Sequence, residues 1–215
     1  MKERPILFNA EMVKAILSGR KTQTRRMVKF PLRDVNMGCE LAGNELAGEV
    51  KAGDYRNCPL WPGDQLWVRE AILPAPLEMQ SAPPRETLWN IAYRDGQQLV
   101  KLAPAAYNPT IYNYGRWTPS IHMPRWASRI DLLITGVRVE RLNSISEQDA
   151  RAEGITDGGC LNCGESEPCG CEHPKPDATD AFAYLWQSIY GDENWFSNPW
   201  VWVIEFEHLR AGRKG

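Results

Sequence analysis

The stretch Gly19-Arg-Lys-Thr-Gln-Thr-Arg-Arg26 gathers four cations and two hydroxyls directly after an apolar helical pattern. A threonine hydroxyl is a weak nucleophile by itself, but an amine kept partly neutral by burial and by neighbouring cations can take its proton. Lys21 and Thr24 supply such a pair. Residues three apart share a side of a turn but point to opposite faces of a regular strand, so the pairing requires Lys21 to belong to the turn. The competing description is a solvated basic edge formed by Lys21, Arg25 and Arg26, with the threonines as strand filler.

A second cluster is Cys160-Leu-Asn-Cys163, Cys169-Gly-Cys171 and His173, four thiols and an imidazole within 14 residues. Two close pairs joined by a short loop can close a tetrahedral zinc site, with Gly158, Gly159, Gly164 and Gly170 allowing the turns. His173 is the alternative to one of the crowded pair Cys169 and Cys171. Four protein ligands make a closed, structural site, so the metal is expected to hold an insertion together and take no part in catalysis. The alternative is a thiol-rich loop without metal. Cys39 and Cys58 lack partners at such spacing and read as ordinary thiols.

The elements that must position these residues follow from periodicity. Pro5–Phe8 reads as a strand and Glu11–Leu17 as a helix capped by Asn9 and ended at Gly19. Residues 31–59 show no lasting period and read as an ordered loop or insertion. Gln65–Glu70 alternates as a strand after the turn Trp61-Pro-Gly-Asp64, and residues 74–86, rich in Pro and Ala, read as loop. Trp89–Arg94 and Gln97–Leu102 flank Asp95-Gly96 as a hairpin. After a Pro- and Tyr-rich loop over 103–120, Arg125–Ile130 and Leu132–Leu142 read as paired strands. Ser144–Gly154 reads as a short helix, Ser146 and Asp149 forming a variant of the capping box. Ala181–Tyr190 is amphipathic, and Trp200–Phe206 reads as a central closing strand. The sum is a small, partly closed β-barrel with flanking short helices.

At 215 residues, one domain spanning 1–215 with insertions near 31–59, 71–116 and 157–178 is the default. A net charge of -2 gives no global field for holding a nucleic-acid backbone. The balance hides a polarity: residues 1–30 hold eight basic and two acidic side chains, and residues 138–180 hold four basic and ten acidic ones. No apolar run approaches the roughly 20 residues of a membrane span, and the start MKERPILFNAEM lacks a signal-peptide core, so a cytoplasmic location is expected. There, six cysteines point to metal or buried thiols rather than disulfides.

Ser18-Gly-Arg-Lys-Thr-x-Thr-x-Arg26 resembles the opening of ASCH domains, relatives of the PUA fold. The resemblance continues through Gly63–Glu70, Leu142–Ile155 and Trp200–Phe206, about half of the chain. Its length is similar to that of phage and prophage ASCH proteins. The likeness to small ASCH-type N(4)-acetylcytidine amidohydrolases implies a PUA-like α+β fold with a zinc-knuckle-like insertion added. It also implies a catalytic trio of Lys21, Thr24 and Glu153, the last placed by the run Leu142-Asn-Ser-Ile-Ser-Glu147 before it. The implied reaction removes the acyl group from N(4)-acylated cytidine through a threonine ester, with no metal in catalysis. Glu153 would hold the cytosine amine or relay a proton to it. Arg26 matches an arginine of the related motif and is a candidate for stabilising the oxyanion. Arg69 and Glu70 could reach the same pocket or form a strand-end salt bridge. Trp67 and Arg125-Trp126 could frame a pyrimidine or belong to the core. The competing functions are an RNA-binding PUA-like module, for which residues 1–30 supply charge, and an ASCH-type ribonuclease.

Overall fold

A computed structural model describes residues 1–77, 85–107, 116–156, 163, 170–172 and 178–209. β1 (Glu3–Leu7) and α1 (Ala10–Leu17) open the chain, followed by β2 (Gln23–Met27), β3 (Leu32–Arg33), β4 (Glu40–Leu41) and α2 (Gly43–Lys51). β5 (Gln65–Arg69), β6 (Ile72–Leu77), β7 (Glu86–Tyr93) and β8 (Gln98–Pro104) lead to 3-10 turns at Ser120–His122 and Arg125–Ala127. β9 (Asp131–Arg141), a third 3-10 turn at Leu142–Ser144, α3 (Glu147–Ala152), α4 (Ala178–Tyr190), α5 (Asp192–Phe196) and β10 (Trp200–Leu209) follow. The class is α+β, as expected, and the strand pairing is mixed. The chain divides into two compact units, one holding Met1–Lys14, Gln65–Leu132 and Leu209, the other Ala15–Asp64 and Leu133–His208.

In the first unit β1 runs parallel to β5, with Ile6 beside Val68. On the other side of β5 the Val68 N–H donates to Ile130 O at 3.0 Å. β6, β7 and β8 form an antiparallel meander. Alternate residues of β7, Trp89, Ile91 and Tyr93, turn inward and pack with Ile72, Ala103, Met123 and Ala127. The Asp95-Gly96 turn is where the sequence places it, with Gly96 at φ 88°.

Two expectations are corrected here. Residues 74–77 of the supposed loop belong to strand β6 (Ile72–Leu77), although they include Pro74 and Pro76. β6 is an outer strand, and Ile72, in the same alternation as both prolines, sends its N–H away from β7 to Thr118 O at 3.2 Å. The prolines therefore lack a donor only on the side where β7 does not need one. The strand expected at Arg125–Ile130 is instead a 3-10 turn at Arg125–Ala127, entered from Pro124 and seated by fully buried Ala127. Ser128 Oγ then donates to Val68 O at 3.0 Å.

In the second unit the strand order is β9-β10-β2, with β2 antiparallel to β10 and Thr24 opposite Ile204. Val201, Trp202, Val203 and Ile204 are all buried, as the unbroken apolar run of a central strand requires. α4 sets Ala178, Phe182 and Trp186 four apart on one face, against Val201, Val203, Leu142 and Ile145. Its first N–H, that of Ala178, is capped by the Glu147 carboxylate of α3 at 2.9 and 3.2 Å.

Helix α2 corrects the reading of 31–59 as loop. Two glycines and an asparagine weaken its local propensity. Tertiary packing makes up the difference: Leu46 and Val50 are buried, and a Cβ on Gly43 would lie 2.0 Å from the Trp200 indole nitrogen. The helix backbone thus lies flush on Trp200, which only glycine permits. α5 was likewise not anticipated. The described strands of neither unit close into a barrel.

Candidate functional site

α1 ends at Leu17, and Gly19 at φ 78° reverses the chain. The N–H groups of Arg20 and Lys21 both donate to Ala15 O, at 2.9 and 3.0 Å. Lys21 has by then left the turn, because it forms an isolated antiparallel bridge with Glu153, and the Thr22 N–H donates to Ala152 O at 2.8 Å. On the opposite side the Phe206 N–H donates to Thr22 O at 2.8 Å. The segment is therefore extended from Lys21 onward, contrary to the expectation that Lys21 belongs to the turn.

Alternation now decides which side chains meet. Gln23 Nε2 donates to Asp149 O at 2.7 Å, and Arg25 reaches Glu153, Glu140 and Asp149. Gln23 and Arg25 thus face α3, which places Thr24 and Arg26 on the other face of β2. Thr24 is 1% exposed.

Lys21 Nζ donates to Glu153 Oε2 at 2.7 Å and to Glu153 O at 2.8 Å. Arg25 holds the second carboxylate oxygen, Oε1, at 3.1 Å. Glu153 is therefore gripped at both oxygens by two cations whose side chains are wholly inaccessible. Arg25 also contacts Glu140 Oε1 at 2.6 Å and Asp149 Oδ2 at 3.4 Å. Arg138 continues the network to Glu140 Oε2 at 3.2 Å, to Asp149 Oδ1 at 2.8 Å and to Glu205.

α3 supplies two of these acids. Ser146 Oγ caps it by accepting the Asp149 N–H at 3.1 Å, as the sequence pattern implies. Glu153 is its C-cap residue, followed by Gly154 at φ 90°. A Cβ on Gly154 would come within 2.8 Å of Ala15 Cβ and 3.0 Å of Lys21 Cβ, so glycine lets the helix end touch Lys21.

Burial pushes the Lys21 amine below the usual lysine range; Glu153 opposes the shift, and Arg26 and Arg25 add to it. For Asp149, burial alone would raise the pKa, but Arg138 and Arg25 hold it below the ordinary aspartate value. Arg138, Glu140 and Glu205 were not singled out from the sequence, and Arg25 and Asp149 were named there only as part of a basic edge and as a capping residue. The available signal was the charge polarity, since the basic start and the acidic 138–180 stretch supply the two sides of the network.

The remaining candidates belong to the first unit. Trp67 is 8% exposed, with the Arg69 and Arg125 guanidiniums 4.7 and 5.7 Å from its ring centre. Arg69 also donates to Ile121 O at 3.1 Å, and Arg125 pairs with Glu3 at 3.2 Å and Asp131 at 2.9 Å. Glu70 does not pair with Arg69 but with Arg129, which grips both carboxylate oxygens at 2.8 Å. Burial still holds Glu70 above the usual carboxylate range. Arg129 also pairs with Asp95 at 2.9 Å and lies 3.9 Å from the Tyr93 ring centre. A cavity of about 280 Å³ in this unit is lined by Phe8, Asn9, Glu70, Arg94 and Ser120, among others.

Of the proposed zinc ligands, Cys163 is exposed and Cys171 half-buried, while Cys160, Cys169 and His173 lie outside the described residues. Among the described residues no group of three or more His, Cys, Asp or Glu could hold a metal ion. Cys58 is buried, with its Sγ 2.6 Å from Leu60 O, and Cys39 is exposed. No described helix is long and apolar enough to cross a membrane. Comparison with protein-family models, curated proteins and solved structures finds no match to this chain.

Proposed function

We propose that this chain is an ASCH-type, PUA-like amidohydrolase that cleaves the amide of N(4)-acetylcytidine and related N(4)-acylated cytosine nucleosides. The observation that carries the reading is the direct contact of Lys21 with Glu153. The two are 132 positions apart and both named by the resemblance, and they meet in a buried pair at 2.7 Å. A lysine held below its usual range gives up its proton more readily than a free one, which suits a base.

In the proposed reaction local opening first brings Lys21 and Thr24, which rest on opposite faces of the extended segment, to one substrate; neutral Lys21 then takes the proton of the Thr24 hydroxyl, and Oγ1 bonds to the acyl carbon. The C–N bond breaks, and cytidine leaves with a proton delivered through Lys21 or Glu153. Water then cleaves the acyl-threonine ester, releasing the carboxylic acid and restoring Thr24. Arg26, which shares the Thr24 face of β2, is the proposed oxyanion partner. β2 is the last strand of its hydrogen-bonded order, and the end of α3 covers the outer edge at Lys21 and Thr22. The trio is closed in the resting arrangement, with Lys21, Thr24 and Glu153 at 2%, 1% and 5% exposure, so turnover requires local opening. The Cys160, Cys163, Cys169 and Cys171 tract, with His173 as substitute, is proposed to hold a structural zinc outside this chemistry.

The test is conversion of N(4)-acetylcytidine to cytidine by the full chain and by Lys21→Ala and Glu153→Gln variants of native-like circular dichroism. Turnover by the wild type, lost in both, supports the hydrolase. No turnover, with RNA binding that weakens steeply with salt, replaces it by the binding module.

A further inference from the structure

Arg25 is buried as completely as Lys21, and the proposed reaction leaves it without a task. Its side chain is inaccessible, its guanidinium lies 5.7 Å from the Phe182 ring centre, and it faces three carboxylates at 2.6, 3.1 and 3.4 Å. A solvated basic edge would show none of this. Removing a guanidinium from water is costly, and the carboxylates that repay it are those of Glu140 on β9 and of Asp149 and Glu153 at α3.

The fork on Glu153 is the feature with consequences for chemistry. If Lys21 were its sole partner, release of the lysine proton would strand a buried carboxylate, and the lysine would be forced to stay charged. With Oε1 held by Arg25, Glu153 keeps a partner when the contact at Oε2 becomes neutral. Glu140 and Asp149 also bind Arg138, which fixes the guanidinium from behind.

We infer that Arg25 is a positioning residue that keeps Glu153 paired and aimed while Lys21 gives up its charge. This rests on the proposed hydrolase for its catalytic meaning, but its physical content is separate. Among the described residues, the charged groups that act on Lys21 include Glu153 at the end of α3 and Arg25 and Arg26 on β2. Glu140, Asp149, Arg138 and Glu205 form the outer ring. Arg25 and Arg26 both depress the lysine, and Glu153 raises it. Loss of Arg25 therefore moves the Lys21 titration up, whereas loss of Glu140, which neutralises Arg25, moves it down.

The experiment is NMR titration of the full chain with 13Cε-labelled lysine, in wild type, Arg25→Met and Glu140→Gln, with the Lys21 signal assigned by its loss in Lys21→Ala. The expected result is an upward shift of about one pH unit in Arg25→Met and a smaller downward shift in Glu140→Gln. If Arg25→Met does not fold, the sign of the Glu140→Gln shift decides. A Lys21 titration unmoved in the folded variants overturns the inference, because a merely structural arginine would leave it in place. The acid limb of kcat/KM for N(4)-acetylcytidine should move with the NMR value at unchanged KM. Shifted titrations in a chain without amidase activity would leave the Arg25 assignment standing and remove only the hydrolase.

Discussion

At the scale of the residue, Lys21, Arg25 and Glu153 depend on one another, and that dependence shapes how variants must be read. Truncating one partner of a buried ion pair leaves the other charge uncompensated, at a cost of about 3–5 kcal/mol. Glu153→Ala strands two cations and should lower the unfolding free energy by that amount in a urea titration. A loss under about 1 kcal/mol would mean that water or another acid replaces the carboxylate. Thr24→Ala strands no charge, which makes it the cleaner probe of chemistry. The pH dependence has a defined sign. Lys21 must be neutral to take a proton, so kcat/KM should rise with pH through the Lys21 value and then level off. Because that value is depressed, the limb should lie below the roughly 10.4 of a free lysine. A rate without any rise from acid to alkaline pH would remove Lys21 as the base.

At the scale of the element, α3 is the part that brings Glu153 to Lys21, and its end is set by Gly154. With φ at 90° and a would-be Cβ 2.8 Å from Ala15, Gly154→Ala should cost about 1–3 kcal/mol and push Glu153 off Lys21. Denaturation together with the Lys21 NMR signal would check both effects, and an unstrained variant would show that the α3 end is loose. Much of this element was legible in sequence: Ser146 caps it as the pattern implies, and Gly154 follows its end. α1, the Asp95-Gly96 hairpin and the central strand β10 were legible for the same reason, since strong periodicity and turn chemistry act locally. α2 was not, because Gly43 reads as a helix breaker until Trp200, 157 positions later, is seen to need the space. β6 was hidden by its two prolines, whose missing donors matter only once the pairing side is known. The ion network followed the same division. Its Lys and Glu were named by resemblance, but Arg25 passed as a surface cation because burial of a charge depends on distant acids.

At the scale of the whole molecule, the first unit carries its own buried ion pair, Glu70 with Arg129, and its own aromatic core around Trp89. The second unit carries the proposed chemistry. Both rely on long-range partners for their charges, and this fits a chain of near-zero net charge whose two signs are unevenly distributed along its length. The proposed zinc ligands share no residue with either ion network. Elemental analysis of protein purified without added metal should find one zinc per chain, lost when Cys160 and Cys163 are both changed to Ser. Removing the metal should lower the melting temperature without abolishing turnover at low temperature, and metal-free native protein would contradict the assignment. The central claim is amide hydrolysis through Thr24. The most direct test is release of cytidine and acetate from N(4)-acetylcytidine by the full chain, beside a Thr24→Ala variant whose denaturation midpoint matches the wild type. The account predicts equal molar release of both products and a loss on the order of 10³-fold or more in the variant. Turnover that survives in Thr24→Ala, or a wild type that leaves the amide intact, would contradict it.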